Sequence, residues 1–294
     1  MCASGDCADG EHRPRVGRLE VNSQEEQALS VLIPVFNPGP YLDPALGSVL
    51  DQLGDGDELV IQDAGSTDGT TAALLAAAER DPRIRVVVEP DDGQSDGLNR
   101  CLARARNRWC VWLNADDLVL DGGIAALKRE IAAHPAVDLV IGGHRLLRAD
   151  GSTVDEFPGH LLTVEYCVVR GIAGFSGSIA MRTEFLRSVG GFRNDLNTVM
   201  DLELQLRMAA AAPRQVLVDA PVGALRLHDA SKSSNLGRQF VSESHAVRQA
   251  YAKSAGLRVR AFGSTILHVV LLVTWPVRLH PAYRRVRAAI RAMK

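Results

Sequence analysis

The feature that most constrains this chain is a series of short apolar runs, each closed by polar residues and followed by helical spacing. "LSVLIPVF" (Leu29–Phe36) runs without a polar break beyond Ser30 and stops at Asn37-Pro38-Gly39-Pro40. "ELVIQD" (Glu58–Asp63), "IRVVVE" (Ile84–Glu89), "WCVWLN" (Trp109–Asn114) and "VDLVIG" (Val137–Gly142) repeat the pattern. Between them, residues 41–53, 70–80, 94–106 and 121–133 carry helical periodicity. Strands with no polar face are covered on both sides, and strand–helix alternation makes a parallel sheet flanked by helices. The expected class is therefore α/β with a Rossmann-like, mostly parallel sheet. After Gly143 the rhythm changes: "HRLLRADGSTVDEF" reads as a hairpin turning at Asp150-Gly151, opening a mixed second half.

In such sheets ligands sit at the carboxyl ends of the strands. Asn37, Asp63, Glu89 and the adjacent Asp116 and Asp117 all lie there. Two neighbouring carboxylates repel one another, and a divalent cation between them relieves that repulsion. The competing explanation is a helix N-cap before residues 121–133.

Composition sets the outer limits. The chain has 294 residues, 46% of them hydrophobic, and a formal net charge of -2. That supports a sizeable core and gives no basic excess for nucleic acid. Five cysteines lack any paired spacing, which fits inert thiols in a reducing compartment. Residues 1–28 are polar, without the apolar run of a signal peptide, and are expected to form a disordered tail. The expected location is the cytoplasm.

The C-terminal segment 236–294 is expected to be helical. From Ser254 onward there is no Asp or Glu, while Arg258, Arg260, Arg278, Arg284, Arg285, Arg287, Arg291 and Lys294 are present. "AFGSTILHVVLLVTWPV" (Ala261–Val277) is short for a membrane span and is followed by a basic helix. Attachment to an anionic inner-face membrane surface, a core helix and a true span are the three readings.

Several pieces occur in order: "SVLIPVFN", "VIQDAGSTDGT", "EPDDGQSDGLNRCL", "LNADD", "VGGF", "MDLELQLRM" and "RLHDASKS". Together, over residues 29–235, they resemble a family-2 glycosyltransferase of the GT-A type, an inverting enzyme using nucleotide-activated sugars. The resemblance implies a nucleotide-sugar half (29–143) and an acceptor half (144–235). It implies Asp117 and Asp116 as ligands of Mg2+ or Mn2+, with His228 completing the metal site or contacting the diphosphate. Pro34, Phe36, Asn37, Asp63, Gly93, Asp96, Arg100, Asn114 and Asp116 would then line the donor site, with Asp63 accepting from the base of, most readily, a UDP-sugar. Asp63 as a turn cap and Arg100 as an ordinary exposed helical charge are the plainer alternatives. Two departures stand out. The family's Asp-Asp-Gly-Ser is here Asp63-Ala64-Gly65-Ser66, and Pro38 replaces an acid that often follows the first-motif Asn.

By the same resemblance the general base falls on Asp201, in the first turn of an amphipathic helix, although Met200 replaces the acid that usually precedes it. Ser176 and Glu203 would belong to the acceptor side, and Ser231, Lys232 and Ser233 would add phosphate contacts. The implied acceptor is a glycan, a glycolipid or a lipid-linked carrier. The other reading of the same fold is a catalytically inactive sugar-nucleotide or glycan binder.

Overall fold

The computed structural model describes residues 26–196, 198–228 and 238–273. The central element is a mixed sheet in the order β3-β2-β1-β4-β8-β6-β9-β5, with β7 added on β6. Its strands are β1 Leu29–Val35, β2 Glu58–Asp63, β3 Ile84–Val88, β4 Trp109–Trp112, β5 Leu118–Val119, β6 Leu139–Arg148, β7 Thr153–Phe157, β8 Ile179–Arg182 and β9 Gln215–Leu227. β1 pairs in parallel with β2 (Val31 opposite Leu59) and with β4 (Val31 opposite Val111), and β2 pairs in parallel with β3. β8 then runs antiparallel between β4 and β6, while β9 is parallel to β6 and antiparallel to β5. The parallel expectation thus holds for the first four long strands, and the mixed half begins at β8.

Successive side chains of a strand point to opposite faces, and β1 shows what that does here. Leu29, Val31, Ile33 and Val35 pack into one core layer, while Leu32 enters the other. β4 divides likewise: Trp109 and Val111 go one way, Cys110 and Trp112 the other. The first layer is closed by α1 (Leu42–Leu50), α2 (Thr70–Arg80) and α4 (Gly123–Ala133). The second is closed by α3 (Gln94–Arg104), α5 (Val164–Arg170), α6 (Thr183–Ser188) and α7 (Met200–Ala210). Leu32 is completely buried in the second layer, so Leu32→Ala would cost about 2–5 kcal/mol.

Two features differ from the sequence reading. The strand expected at Val137–Gly142 continues to Arg148, so the division between halves at 143/144 falls inside β6. The hairpin forms as expected, with Gly151 in the left-handed region at φ 83°. α7 is not amphipathic: Met200, Leu202, Glu203, Leu204, Gln205, Leu206 and Met208 are all buried. α5, α8 (Arg238–Tyr251) and the sheet surround it, and Gln205 serves buried backbone by accepting from Ala173 N–H (2.7 Å) and donating to Gly174 O (2.8 Å).

The chain continues through α8 into the 19-residue α9 (Ala255–Val273). Among the described residues no helix is long and apolar enough to cross a membrane. Cys101, Cys110 and Cys167 are free and buried, and burial pushes each thiol up to about 12. Residues 1–25 and the basic segment 274–294 lie outside the described residues, as do Ser231, Lys232 and Ser233.

Candidate active site

At the carboxyl end of β1 the chain leaves the sheet through Phe36 and Asn37. Asn37 takes a left-handed backbone (φ 47°), which Asn tolerates better than most residues. The loop after β2 locks it there: Asn37 N–H donates to Ser66 Oγ (2.9 Å), and Asn37 Oδ1 accepts from Thr67 N–H (2.8 Å). Phe36 is thereby turned out of the core, 65% exposed, into a cavity of about 560 Å³. Pro34 to Pro38 form one wall of it, with Tyr41 and Ala64 beside them. Asp91, Gly93 and Gln94 come from the start of α3, Asn114 to Asp117 from the end of β4, and Leu225, Arg226 and His228 from the end of β9.

The acidic pair is divided by environment. Asp117 is 1% exposed; its Oδ1 accepts from Arg226 N–H (3.0 Å) and its Oδ2 from Asn114 Nδ2 (2.9 Å). Burial first, and the neighbouring Asp116 charge second, push the Asp117 carboxyl up to about 8. Asp116 keeps 31% of its side chain exposed, and its Oδ2 lies 2.9 Å from His228 Nε2. An ionised carboxylate only accepts, so Nε2 carries the hydrogen of that bond. The His228 ring stacks on Tyr41 with centroids 4.0 Å apart, and the Arg226 guanidinium lies 5.3 Å from the Tyr41 ring centre. Asn114 also accepts from Trp112 Nε1 (2.9 Å) and Gln94 Nε2 (2.7 Å), tying the acidic turn to β4 and α3.

The carboxylates fit a hard divalent cation. Both face one cavity, and the buried one sits in surroundings that disfavour its charge unless a cation offsets it. Among the described residues no three His, Cys, Asp or Glu side chains form a complete cage. Magnesium commonly takes one or two carboxylates and fills its other positions with water and substrate phosphate.

Of the sequence-derived residues, Pro34, Phe36, Asn37, Gly93, Asn114, Asp116, Asp117 and His228 meet at this cavity. Asp63 does not line it. Its side chain is buried: Oδ1 accepts from Ser66 N–H (3.0 Å) and Ser66 Oγ (2.7 Å), and Oδ2 accepts from Thr71 Oγ1. Both oxygens hold the turn after β2, the plainer of its two readings. Asp96 and Arg100 are also off the wall, since Arg100 pairs with Asp96 (2.9 Å) and Glu89 (3.0 Å) along α3. Glu203 is 2% exposed, gripped by Arg207 at 2.7 and 3.1 Å, and accepts from the Tyr251 hydroxyl at 3.2 Å. That environment makes it a structural ion pair. Ser176 opens the short 3-10 turn Ser176–Ser178 before β8, and is not on the cavity wall.

Asp201 lies in the first turn of α7, half-buried, with Oδ1 accepting its neighbour Leu202 N–H (2.7 Å). The preceding Met200 Sδ accepts from Ser95 Oγ at 3.4 Å, which brings the start of α7 against the start of α3. Sequence reasoning passed over Tyr41, Asp91, Gln94 and Arg226. Asp91 and Gln94 stand inside a motif already singled out, whereas Arg226 alternates with leucines and reads as a solvent-facing strand residue.

Residues 30–160 match the family described as Glycosyl transferase family 2. The chain is 32% identical over 130 residues to the putative teichuronic acid biosynthesis glycosyltransferase TuaG of Bacillus subtilis, covering 44% of this chain and 51% of that one. It is 33% identical over 115 residues to a PGL/p-HBAD biosynthesis glycosyltransferase of Mycobacterium bovis, covering 38% and 45%. The chain therefore spans about half the length of these curated relatives. Among solved structures, S. aureus TarS 1-349 in complex with UDP-GlcNAc superposes with a TM-score of 0.61 at 17% identity, over 80% of this chain and 69% of that one. The mannosyltransferase PcManGT from Pyrobaculum calidifontis, in complex with GDP-Man and Mn2+, gives 0.54 at 20% identity, over 87% and 82%. The chain carries a glycosyl transferase family 2 domain over residues 30–160, set in a GT-A-like α/β fold.

Proposed function

We propose that the protein is a divalent-metal-dependent, inverting glycosyltransferase that moves a sugar from a nucleotide donor, most readily a UDP-sugar, to an acceptor hydroxyl. One observation carries this reading. The acidic pair at the end of β4, the exposed Phe36 at the end of β1 and the Arg226–His228 end of β9 wall a single cavity of about 560 Å³. That is room for a nucleotide sugar at the strand ends where this kind of sheet binds ligands. The relatives from Bacillus subtilis and Mycobacterium bovis are named as glycosyltransferases, and the two solved neighbours hold UDP-GlcNAc and GDP-Man.

In this reading Phe36 offers a flat apolar face to the base, and Asp116 and Asp117 would hold the cation. The bound cation would stabilise the negative charge that develops on the leaving diphosphate. Arg226 adds a fixed positive charge on the same wall. Asp201 takes the proton of the acceptor hydroxyl as that oxygen bonds to the anomeric carbon. The bond from that carbon to the phosphate oxygen breaks with its electron pair, and a nucleoside diphosphate departs. One displacement inverts the anomeric centre. The helix N-terminus around Asp201 favours the ionised carboxylate this role needs. A lipid-linked or glycan acceptor and a place on the cytoplasmic face of a membrane belong to the same reading, supported by the acid-free, basic C-terminal sequence.

The test is Asp201→Asn. Turnover should fall about 10²- to 10⁴-fold, the usual cost of losing a general base, while donor affinity stays within a few-fold. A variant that keeps its turnover, or a product that retains the donor's anomeric configuration, contradicts the assignment.

A further inference from the structure

α9 presents two faces with opposite fates. Ala261, Ser264 and Thr265 are buried toward α5 and α8, where Arg248 Nη1 donates to Ser264 Oγ (2.9 Å) and Ser264 Oγ donates to Val169 O (2.7 Å). The other face carries Val259, Phe262, Ile266 and Leu267, exposed by 71%, 56%, 51% and 53%. At 3.6 residues per turn these four form one continuous stripe along the helix. Arg258 and Arg260 fall about 100° to either side of Val259, so they flank the stripe at its two edges. Arg260 is paired with Glu165 of α5, and Arg258 donates through Nε to Ala252 O (3.1 Å), which fixes both at those edges.

We propose that this stripe of α9 docks on the surface of an anionic lipid bilayer, lying in the plane of the headgroups with Phe262 and Ile266 buried among the upper acyl chains. Apolar residues between flanking cations are what an interfacial helix requires, and among the described residues no helix is long and apolar enough to cross a membrane. The charge pattern selects this occupant over a second copy of the chain. No acidic residue occurs from Ser254 to Lys294, while Arg278, Arg284, Arg285, Arg287, Arg291 and Lys294 follow the helix. Self-pairing through the stripe would bring like charges together, whereas anionic lipid complements all of them. The proposal deepens the reading of a membrane-side acceptor, and it stands on lipid binding alone, so its failure is separable from any failure of the enzyme assignment.

The experiment is co-sedimentation of the full chain with vesicles of phosphatidylcholine and with vesicles containing about a third phosphatidylglycerol, the anionic surface the cations would recognise. Wild type should bind the anionic vesicles, release at high salt and bind the neutral ones weakly. Phe262→Glu with Ile266→Glu should reduce binding to anionic vesicles at least about 10-fold while the melting temperature and the binding of nucleoside diphosphate stay unchanged. If the double variant unfolds, Val259→Glu, at the most exposed position, is read in the same way. Equal binding by wild type and variant overturns the proposal. So does a wild type that ignores vesicles but forms a dimer which the variant dissociates.

Discussion

Asp116 and His228 stand 112 residues apart in the chain and meet at 2.9 Å, joining the ends of β4 and β9 across the cavity. Tyr41, from the first loop, stacks on the same imidazole, so one ring holds three distant segments in register. His228→Ala should therefore loosen Asp116 and lower turnover about 10- to 100-fold, the usual effect of removing a residue that orients a metal-binding carboxylate. Release of nucleoside diphosphate from a donor panel measures this, and thermal melting should show the fold retained.

Asp63 has a structural duty. With both oxygens of the buried Asp63 accepting from Ser66 and Thr71, Asp63→Ala removes the acceptor of half-buried hydroxyl and amide donors. The expected loss is about 0.5–1.5 kcal/mol per hydrogen bond, seen in urea unfolding as a lower midpoint with unchanged slope.

His144 sits between Phe157 and Phe175, and burial lowers its imidazole to about 4 from an ordinary 6.5. Below pH 6.5 the unfolded chain takes up a proton that the folded chain refuses. This residue's contribution to stability is therefore intact above about pH 6.5 and lost progressively as pH falls toward 4. His144→Leu should flatten that part of the stability–pH curve by roughly 2–3 kcal/mol between those limits, measured by denaturant unfolding at several pH values.

Much of the frame was legible because strands buried on both faces announce themselves as unbroken apolar runs, and β1, β2 and β4 did so. The acidic pair was legible for the complementary reason: Asp116 and Asp117 follow such a run with no local use for two charges. What stayed hidden depends on partners far along the chain. Arg226 sits between Leu225 and Leu227, and only the antiparallel pairing of β9 with β5 brings it against Asp117 and Tyr41. Glu203 reads from sequence as a fold-supporting or acceptor-side carboxylate, and periodicity does not decide between them because it does not reveal that the helix is enclosed on nearly every side. Asp63 carried the family's expected position, yet Ser66 and Thr71, within eight residues of it, occupy its oxygens.

In the proposed function the Asp116–Asp117 cavity holds a nucleoside diphosphate through a divalent cation. Isothermal titration of UDP into wild type and Asp117→Asn, each with Mn2+ and with EDTA, tests it most directly. Wild type should bind with Mn2+, EDTA should weaken binding at least about 10-fold, and Asp117→Asn should reproduce the EDTA result with Mn2+ present. Equal UDP affinity in all four titrations would contradict it.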